Sequence, residues 1–326
     1  MHHHDEVIGA PVPVVSVRPV TLSAAPGRGD GLHVRVSAPV TGEALPVIVF
    51  SHGFGQSLDA YAPLVDFWAA HGFAVVQPTH LDSRTLNVTP DDPRYPEIWR
   101  SRVEDLTRVL DQLDLVEAAL PGLAGRLDHS RIAAAGHSWG AQSVSMLLGA
   151  RVLDAEGAEG AEGTEGAAGA AAIGGTDLSD PRVKAGVLLA VPGTGGADLT
   201  PFAAEHFSFM NPGFAQLTTP TLVVAGDKDQ SALSVRGPEW FTDAYTLSPG
   251  PKSLLTLFGA EHSLGGISGY TSTETTDESP ERVALIQQLS TAYLRTALGV
   301  DPSSFAAVSA ATARSAGAIG RLDSKE

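Results

Sequence analysis

The chain has 326 residues, of which 43% are hydrophobic and 18% are charged, a composition typical of a globular protein. Asp and Glu outnumber Lys and Arg by 37 to 21, and the net charge of -16 argues against nucleic acid as a partner, since phosphate binding requires clustered cations. There are no cysteines, so disulfides and thiolate chemistry are excluded. No apolar run reaches the roughly 18 residues of a membrane span, so we expect no transmembrane segment.

The amino terminus carries the run His2–His4 and lacks the basic and apolar regions of a signal peptide. This run is more typical of a tag remnant than of a metal site, and we expect neither a metal nor a cofactor. The start favours a cytoplasmic location, and a secreted protein whose signal peptide was removed is the alternative. The sequence leaves the oligomeric state open.

Short apolar segments alternate with longer segments of helical periodicity, which predicts an α/β fold with an eight-stranded, mostly parallel sheet and helices on both faces. Several strands are continuously apolar, as expected where helices cover both faces. The predicted strands are Val12–Val20, Leu32–Ser37, Pro46–Ser51, Phe73–Gln77, Arg131–Ala135, Val183–Val191, Thr221–Ala225 and Ser253–Phe258. The predicted helices are Leu58–His71, Glu97–Leu120, Ala141–Leu153 and Glu281–Leu298.

These elements predict a single domain over residues 1–326, with its core at about 12–298, no internal repeat and no large separate cap. The segment at 155–175 consists almost entirely of Ala, Gly and Glu, and too few apolar side chains are present to repay its ordering. We expect a flexible surface insertion there. The tail at 302–326 is predicted to be loose or weakly helical.

The strongest motif is Gly-His-Ser-Trp-Gly at residues 136–140, between a predicted strand and a predicted helix. A serine at the apex of such a tight turn is exposed in a strained backbone conformation, and side chains at the flanking glycines would collide. The amides that begin the helix point at the oxyanion formed on attack. We therefore predict Ser138 as a nucleophile.

A second motif, Ser-His-Gly-Phe-Gly at residues 51–55, directly follows a predicted strand. Alone it is typical of a glycine-rich turn, but ahead of the serine motif it favours an oxyanion loop. The backbone N–H groups of Phe54 and Trp139 would then bind the developing negative charge. His52 would anchor this loop and would not act as a second base.

The serine needs a base, and His262 lies in a loop between the last predicted strand and the C-terminal helix, where an imidazole can reach over the nucleophile. His137 is predicted to pack beneath the serine turn. The other internal histidines are expected to be exposed or locally bonded: His33, His71, His80, His129 and His206.

The acid that orients the imidazole is expected in the loop after the strand Thr221–Ala225, which carries Asp227 and Asp229. Asp229 is favoured because it lies far enough into the loop to turn back toward His262. Asp227 is the better candidate for capping the turn. Asp198 is the next candidate if neither residue serves.

The order Ser138, Asp229, His262, each after a strand, resembles the α/β-hydrolase superfamily over about Pro46–Leu298. Within it the chain is most similar to the bacterial esterase branch of dienelactone-hydrolase-like proteins, chlorophyllases and platelet-activating-factor acetylhydrolases. That similarity rests on the Ser-His-Gly-Phe-Gly motif, the lack of a large cap and the pair Arg102 and Asp105 in a helix ahead of the serine.

The chain departs from each member of this branch. Dienelactone hydrolases use a cysteine nucleophile, and this chain has no cysteine. The acetylhydrolases carry their acid after the sixth strand, whereas the strand Val183–Val191 is followed by Pro-Gly without a carboxylate. Chlorophyllases usually have Arg after the nucleophile, where this chain has Trp139. The resemblance thus implies the superfamily and leaves the subfamily open.

The substrate pocket is expected from apolar side chains in loops after the strands. The candidates are Trp99, Phe207, Phe209, Met210 and Trp240. Since few cations lie near these loops, we expect a small neutral carboxylic ester with apolar parts, cleaved through an acyl-enzyme by a serine esterase. A lactonase, amidase or acyltransferase on the same triad, and a non-catalytic ligand-binding protein on a hydrolase scaffold, are the alternatives.

Overall fold

The computed structural model describes residues 8–153, 175–315 apart from 271 and 274, and 319–326. The predicted flexible insertion at 155–175 lies, except for its last residue, outside these residues. The strands of the described part are β1 (Val14–Leu22), β2 (Leu32–Pro39), β3 (Leu45–Ser51), β4 (Ala74–Pro78), β5 (Leu127–His137), β6 (Arg151–Val152), β7 (Val183–Leu189), β8 (Pro212–Gly213), β9 (Thr221–Gly226), β10 (Lys252–Leu257) and β11 (Gly320–Lys325).

The helices of the described part lie mostly in the connections between the parallel strands. They are α1 (Ala62–Ala70), α2 (Ile98–Asp111), α3 (Leu113–Ala119), α4 (Trp139–Leu147), α5 (Pro201–His206), α6 (Asp243–Thr246), α7 (Pro280–Ala297) and α8 (Ser304–Ser315). Short 3-10 turns stand at Tyr95–Glu97, Gly196–Asp198 and Pro238–Thr242. Each of the eight predicted strands is present, and all but β5, which begins four residues earlier at Leu127, start within two residues of the predicted position.

Within the described residues, nine strands form one sheet in the order β1-β2-β4-β3-β5-β7-β9-β10-β11, and β6 pairs with β8 separately. The central strands from β4 to β10 are parallel, whereas β1, β2 and β11 run antiparallel to their neighbours. Every residue of β3, β4 and β9 is buried. Because successive side chains point to opposite faces, helices must cover both faces. The predicted α/β class with a mostly parallel sheet is confirmed.

Three predicted helices differ from the structure. The first, predicted over Leu58–His71, begins only at Ala62, after Tyr61 with φ 63°. The other two differ on their C-terminal side. The helix predicted over Glu97–Leu120 breaks at Gln112, whose backbone leaves the helical region (φ -125°, ψ 28°) and whose side chain exchanges hydrogen bonds with the backbone of Ser23. The helix predicted over Ala141–Leu153 ends at Leu147, ahead of Gly149 with φ 120°. Both ends are set by contacts or conformations that hydrophobic periodicity does not report.

The tail at 302–326 is not loose in its described part. Helix α8 packs against α7, and β11 pairs with β10 from Lys252 opposite Lys325 to Leu257 opposite Gly320. This strand adds a ninth member to the sheet, where the sequence predicts eight. Its residues are mainly polar, and the backbone hydrogen bonds to β10 rather than apolar side chains hold it at the edge.

The parallel strands bring their carboxyl ends to one edge of the sheet. The loops after β3, β5, β9 and β10 carry the predicted oxyanion loop, serine, acid and histidine, respectively. A site built at this edge is the general arrangement in open α/β sheets.

Candidate active site

Ser138 stands at the turn between β5 and α4 in a strained conformation, with φ 55° and ψ -124°. A Cβ added to Gly136 would come within 2.5 Å of the Gly140 backbone, and one added to Gly140 would come within 2.1 Å of the Ser51 carbonyl oxygen. Neither glycine can therefore carry a side chain unless the backbone shifts. The turn holds the Ser138 hydroxyl out from the sheet edge, as its motif predicts.

Ser138, His262 and Asp229 form a continuous hydrogen-bonded chain. The Ser138 Oγ lies 2.8 Å from His262 Nε2, and His262 Nδ1 lies 2.9 and 3.1 Å from the two carboxylate oxygens of Asp229. Asp229 is fully buried, while the His262 side chain is 42% exposed. Because a carboxylate only accepts, Nδ1 carries the proton and the lone pair of Nε2 faces the serine.

The other two acid candidates have different partners. Asp227 accepts a hydrogen bond of 2.7 Å from the Gly259 N–H, at the start of the loop that carries His262. Asp198 accepts from Thr194 at 2.7 Å and pairs with Arg236 at 3.1 Å. Of the three carboxylates, Asp229 is the one that contacts His262.

The predicted oxyanion loop lies directly beside the serine turn. The rings of Phe54 and Trp139 are 5.4 Å apart, and among the described residues neither backbone N–H donates to any acceptor. Two unpaired amides next to a nucleophile are free to bind an oxygen that develops negative charge.

Arg102, in α2, ties this loop to the serine turn. Its guanidinium is fully buried, donates to the His52 carbonyl and the Asp82 carboxylate, and donates to Ser143 Oγ of α4 at 3.1 Å. It also lies 5.0 Å from the centre of the Trp139 ring, an attractive cation–π contact. Arg102 therefore contacts both elements that supply the predicted oxyanion amides.

The remaining links of the loop are also polar and buried. Asp82 accepts from the Gly55 N–H at 3.0 Å. His52 accepts from the His80 N–H through Nε2 at 3.0 Å and donates from Nδ1 to the Gly53 carbonyl at 2.7 Å. Burial lowers the pKa of His52 to about 4, so it stays neutral. These contacts fit its predicted role as an anchor.

A second buried pair lies beneath the loop. His80 contacts Asp105 at 2.9 Å and Ser51 Oγ at 3.0 Å, and Asp105 pairs with Arg28 at 2.7 Å. Burial raises the pKa of Asp105 to about 7 and holds the pKa of His80 well below its usual value. Of the two alternatives expected for His80, exposed or locally bonded, the structure has the second, and the residue is fully buried.

An apolar cavity of about 270 Å³ opens at Ser138 and His262. Phe207, Phe209, Met210 and Trp240 line it, as the sequence predicts; Trp99 instead stacks behind Phe209, with 5.9 Å between ring centres. The other lining residues are Phe54, Trp139, Pro192, Ser231, Leu233 and Phe241.

Several of these lining residues are not predicted from the sequence. Leu233 and Phe241 lie between β9 and α6, a stretch in which Trp240 is the one predicted pocket residue. The position of both after a strand that carries the predicted acid was the available signal. Arg236 in the same stretch pairs with Asp198 and Asp243, and no cation is among the described residues that line the cavity.

Candidate metal ligands lie elsewhere. Asp114, Glu117 and His129 offer ligand atoms within 4.8 Å of one another. His129 stands near the start of β5, at the opposite end of that strand from Ser138.

In the part of the chain that the structure describes, no helix is long and apolar enough to cross a membrane.

Comparisons with known proteins agree with the fold. Residues 15–153, less than half of the chain, match the model of the chlorophyllase family, a family of the α/β-hydrolase type. The comparison with curated proteins gave no match. Together with the parallel sheet, the family match identifies the α/β-hydrolase fold and indicates, in broad terms, an ester hydrolase. The matched part contains Phe54 and Ser138 and ends before Asp229 and His262.

Proposed function

We propose that the protein is a serine hydrolase that cleaves a neutral carboxylic ester with apolar parts. The hydrogen-bonded chain from Ser138 through His262 to Asp229 carries this proposal, because its nucleophile and base both line an apolar cavity. A weak nucleophile becomes reactive when a base accepts its proton and a third group orients that base.

In the first step His262 Nε2 accepts the proton of Ser138 Oγ while this oxygen attacks the ester carbonyl carbon. The backbone N–H groups of Phe54 and Trp139 donate to the resulting oxyanion. Asp229 accepts from Nδ1–H and stabilises the imidazolium. His262 then gives its proton to the departing alkoxide oxygen, the ester C–O bond breaks, and the acyl group remains on Ser138.

The second step releases the acid. A water molecule gives a proton to His262 Nε2 and adds to the acyl carbon, and the same two amides bind the second oxyanion. Collapse of this intermediate breaks the bond to Ser138 Oγ, which takes the proton back from His262. The free carboxylic acid leaves, and the site returns to its starting state.

The cavity supports an apolar substrate group. Its walls are aromatic and aliphatic apart from Ser138, Ser231 and His262, and burial of an apolar chain there is favourable by about 0.8 kcal/mol for each CH₂ group. A charged group would lose its hydration and meet no counter-ion from Arg236, which is already paired. The family match ends ahead of most of this wall, so it does not select a substrate for this chain.

Replacement of the nucleophile tests the proposal. Ser138→Ala is expected to lower the hydrolysis of p-nitrophenyl esters by about 10⁴-fold or more and to abolish labelling by a fluorophosphonate. Ser231→Ala is the matched control, because Ser231 lines the same cavity without a base at its hydroxyl; it should keep both properties. A wild-type protein that neither turns over esters nor becomes labelled would instead be a ligand-binding protein. Comparison of esters with anilides of the same acyl chain separates an esterase from an amidase.

A further inference from the structure

A buried hydrogen-bonded chain joins the predicted oxyanion loop to the loop that carries His262. The Gly53 N–H donates to the Tyr61 hydroxyl oxygen at 3.0 Å, and this hydroxyl lies 2.8 Å from His137 Nδ1. His137 Nε2 lies 2.8 Å from the backbone carbonyl oxygen of His262. The side chains of Tyr61 and His137 therefore connect Gly53, the residue before Phe54, to the backbone of His262.

The partners assign every proton in this chain. A carbonyl oxygen only accepts, so His137 Nε2 carries a proton and donates it to His262. A neutral imidazole then has its lone pair on Nδ1, which accepts from the Tyr61 hydroxyl. The Tyr61 oxygen in turn accepts from the Gly53 N–H. All donors point in one direction, from the oxyanion loop to the histidine loop.

The chain is kept in this one state by its surroundings. His137 and Tyr61 are 5% and 1% exposed, respectively. Burial lowers the pKa of His137 to about 3, with the nearby His262 as a further cause, so His137 stays neutral wherever the hydrolase works. No side chain fits at Gly53 without a shift of these groups, since a Cβ there would lie 2.8 Å from the Tyr61 hydroxyl and 3.3 Å from His137 Nδ1.

Tyr61 is held in place at a cost. Its backbone adopts the left-handed region, with φ 63° and ψ 23°, at the N-terminal cap of α1. Such a conformation is rare for a bulky residue and persists where the surroundings over-determine it. Here the Tyr61 N–H donates to the Ser268 carbonyl at 3.0 Å, and its ring packs 4.9 Å from that of Phe50. The conformation aims the hydroxyl between Gly53 and His137.

We propose that Tyr61 and His137 are positioning residues that hold the oxyanion loop and the His262 loop in a fixed relation to Ser138. This inference rests on the proposed function. The Phe54 amide adjoins Gly53, and the imidazole of His262 extends from the backbone that His137 binds. A shift of about 1 Å between these two groups can cost a large factor in rate, since both must meet the same transition state.

Removal of one oxygen atom tests the chain. Tyr61→Phe leaves the Gly53 N–H and His137 Nδ1 without their partner, and kcat for a p-nitrophenyl ester is expected to fall about 10-fold with KM unchanged. Tyr293→Phe deletes the same atom from another buried tyrosine, which packs against Phe305, and should leave kcat unchanged. An unchanged kcat in folded Tyr61→Phe overturns the positioning role while leaving the hydrolase intact. An inactive wild type refutes the hydrolase itself, and the role with it.

The imidazole nitrogens provide a second measurement that does not depend on turnover. The ¹⁵N spectrum of the wild type, with His137→Gln used to assign the signals, should show His137 neutral and protonated at Nε2 from pH 5 to 8. Tyr61→Phe should shift the Nδ1 signal, whereas Tyr293→Phe should not. A proton on Nδ1, or titration of His137 within this range, overturns the chain even if Tyr61→Phe does not fold.

Discussion

Replacement of Asp229 by Asn tests whether the carboxylate orients His262 or only fills its place in the loop. The carboxylate is fully buried, and both of its oxygens lie within 3.1 Å of His262 Nδ1. Asn has nearly the same shape, so the change removes the charge without leaving a void. What remains is a neutral group that can present either an oxygen or an NH₂ to the imidazole.

The magnitude follows from two losses. If the amide NH₂ faces Nδ1, this nitrogen must accept, the proton moves to Nε2, and the lone pair no longer faces Ser138 at 2.8 Å. If the amide oxygen faces Nδ1 instead, the imidazolium that forms during attack still lacks a buried counter-charge. The equivalent change in another Ser-His-Asp triad lowers kcat about 10⁴-fold. That factor corresponds to about 5 kcal/mol of transition-state stabilisation.

Asp227→Asn is the matched control, since it lies two residues away in the same loop. Asp227 accepts from the Gly259 N–H at 2.7 Å, and an Asn oxygen can accept the same hydrogen bond. The assay is kcat on a p-nitrophenyl ester for both variants, with far-UV circular dichroism to verify folding. Asp229→Asn should lose about 10⁴-fold and Asp227→Asn less than about 10-fold. The reverse order would refute the assignment, and two active variants would direct attention to Asp198.

Two further predictions concern buried polar groups. Arg102→Met leaves the buried carboxylate of Asp82 without its counter-ion and should lower the free energy of unfolding by about 3–5 kcal/mol in urea denaturation. Arg100→Met, on the exposed side of the same helix, is the control and should change this free energy little. The pKa of His137 is about 3 in the native state and 6.5 in the unfolded state, so the unfolded chain alone takes up this proton below pH 6.5. The free energy of unfolding therefore falls as the pH is lowered from about 6.5 toward 3. Between pH 7 and 5 the wild type should lose about 2 kcal/mol more than His137→Gln does; equal losses contradict the neutral assignment.

The elements that sequence predicts well are those whose local pattern agrees with their final surroundings. Strand β9 reads as continuously apolar, and all its residues are buried. The serine turn depends on Gly136 and Gly140, whose necessity is steric and local in the chain. The position of Asp229 further along its loop favours it over Asp227, and Asp229 is the residue that contacts His262 in the structure.

The features that escape prediction depend on partners distant in sequence. Gln112 ends a helix because its side chain meets Ser23, 89 residues away. His80 carries no local sign of burial, yet its neighbours Ser51 and Asp105 enclose it from two other elements. Tyr61 sits in a segment whose apolar residues predict a helix, and its left-handed backbone contradicts that pattern.

The polar network under the oxyanion loop explains why buried charge is tolerated beside the site. Two cations, Arg28 and Arg102, stand against two carboxylates, Asp82 and Asp105, so the cluster has no net charge when all four are ionised. Buried ion pairs contribute little net stability compared with apolar packing, because desolvation offsets their attraction. Hydrogen bonds, unlike apolar contacts, fix direction, and the amides of a loop need direction in order to point at one oxygen.

The oxyanion loop and the walls of the cavity come from different parts of the chain. The buried polar side chains that fix the oxyanion loop, from Arg28 to Ser143, lie within the segment that matches the chlorophyllase family. The walls of the cavity come largely from the stretch after β7, which carries Phe207, and from the stretch between Asp229 and α6, which carries Leu233. Changes in these two stretches can alter the shape of the cavity without touching a hydrogen bond of the loop. Chimeras that exchange them with those of another esterase should therefore change KM among ester chain lengths and retain labelling of Ser138; loss of labelling in a folded chimera would show that the two parts are not separable.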